Sequence, residues 1–215
     1  MSRLNPRQQE AVEYISGPLL VLAGAGSGKT SVITRKIAYL IDACGIKSHH
    51  IAAVTFTNKA AKEMKERVMQ LTGRGGARGL TVSTFHNLGL GIIRQELATT
   101  GYKSGFSILD QDDCKGILRD VMHREHGDDG DMLDMVQNEI SNLKNDLITP
   151  EQAINKAASP QEVLVAQTYS VYQRMLKAYN AVDFDDLIMV PTILFRDNPE
   201  VLTRWQKKIR YLLVD

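Results

Sequence analysis

The sequence predicts an α/β fold: a parallel sheet organised around a phosphate-binding loop (a P-loop) and interrupted by an all-helical insertion. Three observations predict it. Residues 23–30 carry the x-x-x-x-G-K-[ST] end of the pattern G-x-x-x-x-G-K-[ST], with Ala23 in place of its first glycine and Gly24 beside it, set between an apolar run at residues 19–22 and a segment with helical apolar spacing. Residues 51–56 are a second apolar run of strand character, and residues 80–85 read as a third short strand. From residue 87 to about 182 the periodicity is helical, with no convincing strand.

At the N-terminus, Asn5 suits an N-cap and Pro6 the first helical position, and Ala11, Val12 and Ile15 give that helix an apolar face. Gln8 stands three residues after Asn5. It either closes a capping box or offers its amide to a purine edge. Gly17 and Pro18 stop the helix, and residues 19–22 read as a buried strand. The loop follows: Ala23, Gly24, Ala25, Gly26, Ser27, Gly28, Lys29, Thr30. Its glycines let backbone N–H groups converge at the positive end of the next helix, a nest that holds polyphosphate. In this pattern Lys29 reaches the β- and γ-phosphates and the Thr30 hydroxyl holds Mg²⁺. Val32, Ile33, Ile37, Leu40 and Ile41 continue as an amphipathic helix.

Residues 51–56 form a second buried strand. Residues 57–68 form a helix made basic by Lys59, Lys62, Lys65 and Arg67. Phe56 and Asn58 fall at that junction, on the sheet's C-terminal edge, where open α/β sheets bind ligands. Phe56 either packs in the core or stacks a nucleobase. Residues 73–79 read as a flexible basic turn. The third strand ends at Thr84, Phe85 and His86, and His86 either contacts a phosphate or base or is structural.

Beyond the helical insertion, Asp183, Asp185 and Asp186 could bind a metal, but capping the helix after them is the favoured reading. Residues 211–215 form an apolar strand ending in Asp215. That is the shape of the second nucleotide motif, whose Asp holds Mg²⁺.

The chain has 215 residues, 43% of them hydrophobic and 24% charged, enough for one large or two small domains with a real core. No run reaches the length of a membrane span and no signal-peptide pattern is present, so no membrane partner is expected. Cys44 and Cys114 match no metal or redox spacing, which points to a reducing cytoplasm. Net charge is +1, but residues 1–86 hold 12 Lys or Arg against 5 Asp or Glu, and residues 87–215 hold 14 against 20. A basic first part carrying a nucleotide loop suggests a polyanion on that face.

These motifs together resemble the UvrD/Rep/PcrA group of superfamily-one DNA helicases, nearest its Rep members. The resemblance rests on Leu4 and Asn5 with Gln8, residues 23–30, 55–61 and 83–86, Leu109 and Asp110, residues 183–187 and residues 211–215, in family order across nearly the whole chain. It implies a RecA-like ATP-binding domain, residues 1–86 plus 183–215, interrupted by a helical subdomain, residues 87–182. It also implies ATP and Mg²⁺ as cofactors and single-stranded DNA as a partner in replication or repair. Gln8 matches the family's adenine-reading residue. Phe56 and Asn58 match one DNA-contacting motif, and Thr84 and His86 another. Ser31 departs from the pattern, standing where several relatives carry an Arg that packs on adenine. The family continues past residue 215 with an acidic base, a second RecA-like domain and an arginine finger. The chain is therefore expected to be an N-terminal fragment of a 3′-to-5′ helicase that does not unwind DNA alone and scarcely hydrolyses ATP. A non-catalytic docking module for a replisome or phage partner is the alternative. The replicative helicase or another replisome protein is the further partner considered.

Overall fold

The computed structural model describes residues 4–24, 26–126 and 130–215. The helices are α1 (Pro6–Glu13), α2 (Lys29–Asp42), α3 (Asn58–Gly76), α4 (Phe85–Gln95), α5 (Leu97–Thr100), α6 (Gln111–His126), α7 (Gly130–Asn145), α8 (Pro150–Lys156), α9 (Pro160–Ala178), α10 (Asp186–Asp197) and α11 (Pro199–Lys208). The strands are β1 (Ile51–Thr55), β2 (Thr81–Thr84), β3 (Ser107–Ile108), β4 (Ala181–Val182) and β5 (Tyr211–Val214). The chain forms two compact units, Met1–Leu88 with Leu202–Asp215, and Gly89–Val201. Residues 183–201 therefore pack with the second unit, and the chain returns to the first one later than the expected boundary at Asp183.

In the first unit three parallel strands run in the order β2-β1-β5. β1 is buried at every residue, as a central parallel strand covered on both faces must be. Ile37 and Leu40 from α2, Ile51 and Ala53 from β1, Met64 and Val68 from α3, and Leu213 from β5 form one core. Each large side chain buried there contributes roughly 1.5–3 kcal/mol. The basic helix α3 runs on to Gly76, further than its apolar pattern indicated. It leaves helical geometry at Gly73, whose φ of 72° suits a residue without Cβ.

Residues 19–22 are a correction. They form no strand, and Leu20 and Leu22 are 82% and 87% exposed. An apolar run gives strand propensity, but a strand is defined by its neighbours, and no described strand pairs with this run.

The second unit is helical. α6, α7 and α9 pack around Leu118, Val136, Ile140, Tyr169, Tyr172 and Leu176. α8 and α9 open alike: Thr149 and Ser159 cap Gln152 and Glu162 in reciprocal boxes, with Pro150 and Pro160 at the first helical position. The expectation of no strand here is also corrected. β3 and β4 pair in parallel, Ser107 with Ala181 and Ile108 with Val182. A two-residue ladder is too short to show a period of its own. Gly89 on α4 lets α10 approach closely: a Cβ there would lie 1.8 Å from the Leu187 carbonyl oxygen.

The interior of this unit also holds charge. Lys144, fully buried, donates to Asp183 at 2.6 Å and Asp186 at 2.9 Å. The Tyr172 hydroxyl adds a bond to Asp183 at 3.0 Å, and Gln173 bonds Asp186. Burial alone would lower the Lys144 pKa, but Asp186 and then Asp183 outweigh it and hold the ammonium above its ordinary value. Burial pushes Asp186 up, because one lysine cannot neutralise two carboxylates. The Asp183 carboxylate also accepts the Asp186 N–H at 2.9 Å, so it caps the turn into α10, in line with the capping expectation.

Candidate nucleotide-binding site

The glycine-rich loop at residues 23–28 leads into α2 with the geometry its glycines permit. Gly26 and Gly28 have φ of 73° and 87°, in the left-handed region. Gly28 is the N-cap of α2, no side chain caps that end, and its first turn holds no acidic residue. A 14-residue helix thus presents uncapped N–H groups and positive dipole charge beside an exposed loop, an arrangement suited to an anion. Ala23, Gly24, Ser27 and Lys29 are exposed. Ala25 lies outside the described residues. The Lys29 ammonium donates to the carbonyls of Ala23 at 3.0 Å and Gly24 at 2.9 Å.

Two stretches far apart in the chain meet here. The Thr30 hydroxyl donates to Asp215 Oδ2 at 2.8 Å, across 185 residues of sequence. The sheet brings this about: Val54 pairs with Val214, and the Asp215 N–H continues the ladder to the Val54 carbonyl at 2.9 Å. A hydroxyl and a carboxylate oxygen side by side, next to a phosphate cradle, match the oxygen donors that Mg²⁺ takes together with water and phosphate.

Gln8 closes a capping box with Asn5. Its Oε1 accepts the Asn5 N–H at 2.9 Å, and its Nε2 donates to the Ser27 carbonyl at 3.0 Å. The capping reading of Gln8 is met, and the same amide also reaches the glycine-rich loop.

The same C-terminal sheet edge carries the other expected residues. Thr55 and Thr84 are register partners, so Phe56 and Phe85 leave the sheet on neighbouring strands. Phe56 is 89% exposed, which removes the core reading for this junction aromatic. His86 is exposed in the first turn of α4. Thr84 is buried, and its hydroxyl accepts the Asn87 N–H at 3.2 Å, so as placed it stabilises the turn into α4. Asn58 Oδ1 accepts from Asn87 Nδ2 at 2.9 Å, tying the two strand–helix junctions together. Sequence reasoning missed Asn87. Its position directly after His86 was the only signal it gave.

In the second unit a cavity of about 360 Å³ is lined by Asp110, Cys114, Tyr172 and Asp183, among others. None of the residues expected at nucleotide or DNA lines it. Burial raises the Cys114 thiol to about 11, which leaves it an inert group at neutral pH. Among the described residues no cluster of three or more His, Cys, Asp or Glu could hold a metal ion, and no described helix is long and apolar enough to cross a membrane.

Residues 4–215 match the family described as UvrD/REP helicase N-terminal domain. The chain is 56% identical over 213 residues to the ATP-dependent DNA helicase Rep of Escherichia coli (strain K12), an alignment covering 99% of this chain and 32% of that protein. It is 45% identical over 211 residues to the Rep protein of Buchnera aphidicola subsp. Baizongia pistaciae, covering 98% and 31%. The ATP-dependent DNA helicase PcrA of Staphylococcus aureus (strain Mu50) is 44% identical over 216 residues, covering 100% and 30%. The chain thus spans about a third of the length of these relatives.

Proposed function

We infer that this chain, which belongs to the UvrD/REP helicase N-terminal domain family, is the ATP-gripping part of an ATP-dependent DNA helicase that moves 3′ to 5′ along single-stranded DNA. One observation supports the reading above the others. Thr30, in the phosphate loop, and Asp215, at the end of an apolar strand, are hydrogen-bonded although 185 residues apart. Two nucleotide motifs recognised separately in the sequence thus meet at one point.

The chemistry follows from the residues. The loop from Ala23 to Gly28, whose sequence includes Ala25, offers backbone N–H groups at Gly26 and Gly28 and at the start of α2 to the β- and γ-phosphates. Lys29 exchanges its two carbonyl partners for phosphate oxygens. Bound Mg²⁺ would neutralise charge as it develops on the phosphates. Thr30 and Asp215 would supply one hydroxyl and one carboxylate oxygen to it. Gln8 reads the adenine edge, and Ser31 leaves the adenine face without a guanidinium. At the sheet edge Phe56 stacks a base, worth about 1–3 kcal/mol with little sequence preference. Asn58 and His86 hold the strand beside it, and Thr84 acts through the turn it caps.

The fold is read as a RecA-like ATP-binding domain with an inserted helical subdomain, the second unit being the insertion together with its return. Its setting is the cytoplasm. The replicative helicase or another replisome protein is the partner expected at a fork. The second unit, with 10 Lys or Arg against 19 Asp or Glu, supports a docking surface on charge alone. A purely non-catalytic docking role would leave the Thr30–Asp215 pair without a purpose.

Strand movement requires a second domain closing on this one. The 215 residues alone are therefore expected to show no unwinding and scarcely any hydrolysis. An assay of DNA-stimulated ATP hydrolysis on the chain and on the full-length protein tests this. Turnover confined to the full-length protein is the expected result, and comparable turnover by the 215 residues would overturn the two-domain reading.

A further inference from the structure

We propose that Lys36 is a positioning residue for base recognition: by capping α1 from the side of α2, it holds the Gln8 amide over the phosphate loop. This rests on the reading of Gln8 as the adenine-contacting residue and goes beyond it by naming what keeps that amide in place.

The geometry forms a closed circuit. α1 has only eight residues, too few to be stable alone, and its last turn contains no basic side chain of its own. Its C-terminal carbonyls would otherwise depend on water. Lys36 supplies the missing cation. Its ammonium donates to the Ala11 carbonyl at 2.9 Å, the Val12 carbonyl at 3.4 Å and the Tyr14 carbonyl. An ammonium at the negative end of a helix is favoured by both hydrogen bonding and the dipole. Ala11 and Val12 pack on Val32 of α2 beside it, with Leu4 and Tyr39. Burial lowers the Lys36 pKa, consistent with a lysine drawn out of water to reach those carbonyls.

Lys36 follows Lys29 by seven residues, so the two lie on one face of α2, two turns or about 10 Å apart. The helix that begins at the phosphates thus grips, two turns on, the C-terminal end of the helix carrying Gln8. Gln8 completes the circuit. Its Nε2 bonds the Ser27 carbonyl at 3.0 Å, and a Cβ on Gly28 would come within 3.3 Å of the same nitrogen. The amide therefore lies directly against the last glycine of the loop. Release of the far end of α1 lets that amide drift. The cost falls on discrimination between bases, and the phosphate grip of Lys29 and Thr30 is left intact.

The test uses the full-length protein and steady-state, DNA-stimulated hydrolysis of ATP and GTP. Lys36→Met keeps the length and removes the donors. It is expected to raise KM for ATP about tenfold, the scale of a lost hydrogen bond to a positioned group, and to shrink the preference for ATP over GTP by a similar factor, with kcat within about twofold. Lys36→Arg should restore both. Gln8→Ala should lose the same preference, and Gln8→Ala with Lys36→Met should lose no more than either alone. A Lys36→Met protein that melts at lower temperature yet keeps its ATP preference would reduce Lys36 to a structural cap and overturn the proposal. Should Lys36→Met not fold, Lys36→Gln, which retains an amide donor, is read in the same assay against the same two outcomes. If Gln8→Ala leaves the preference intact, the adenine reading itself fails and takes the proposal with it. If only Lys36→Met leaves it intact, the proposal fails alone.

Discussion

The two units handle charge in opposite ways. The sheet unit carries 16 Lys or Arg against 6 Asp or Glu, and keeps its candidate site residues at an open edge: Lys29 and Phe56 are exposed, and Asp215 ends a strand in solvent. The helical unit is acidic, yet its most ordered charges, Lys144 with Asp183 and Asp186, are sealed inside. A group meant to meet a ligand must remain within the ligand's reach. A group meant to fix one arrangement of helices gains by being buried, where a wrong arrangement would leave an ion unpaired. Substitutions should therefore damage function in the first unit and folding in the second.

The largest effect is expected inside the helical unit. Lys144→Met leaves two buried carboxylates without their cation and should cost about 3–5 kcal/mol, read as a shift in the denaturation midpoint. A change below about 1 kcal/mol would mean that water or protonation already relieves the carboxylates. Next is Gly89→Ala. A Cβ there would meet the Leu187 carbonyl oxygen at 1.8 Å, so α4 and α10 must separate, at about 1–3 kcal/mol or more. Gly91→Ala on the same helix meets nothing within 4 Å and should stabilise by up to about 1 kcal/mol. Equal effects from the two would contradict the close approach of those helices. In the sheet unit, Phe56→Ala should leave the melting temperature within a degree or two, because the ring is 89% exposed and contributes little to the core. It should weaken single-strand binding by the full-length protein by about 1–3 kcal/mol. A loss of stability with binding unchanged would reverse the division between the units.

What the sequence made legible follows the same division. The glycine-rich turn into α2 could be read because left-handed backbone at Gly26 and Gly28 calls for glycine at fixed spacing before a helix. β1 could be read because a buried parallel strand is apolar along its length, and β2 and β5 because short β-branched or apolar stretches stood between helical segments. Lys144 was illegible: a lysine in the last turn of a helix reads as a solvated dipole partner, and its carboxylates lie 39 and 42 residues further on. Lys36 was hidden in the same way, since its partners are backbone carbonyls that carry no sequence signal. Residues 19–22 were misread because composition gives propensity and not neighbours. β3 and β4 are too short to register as a pattern.

The central claim is that the amides of residues 26–30, with the Lys29 ammonium, grip a triphosphate. The most direct measurement is an amide-resolved NMR titration of the chain with a non-hydrolysable ATP analogue and Mg²⁺. The account predicts the largest shifts at residues 26–30 and at Asp215, and their loss in Lys29→Ala. Binding that perturbs other amides and leaves those residues unmoved would contradict it.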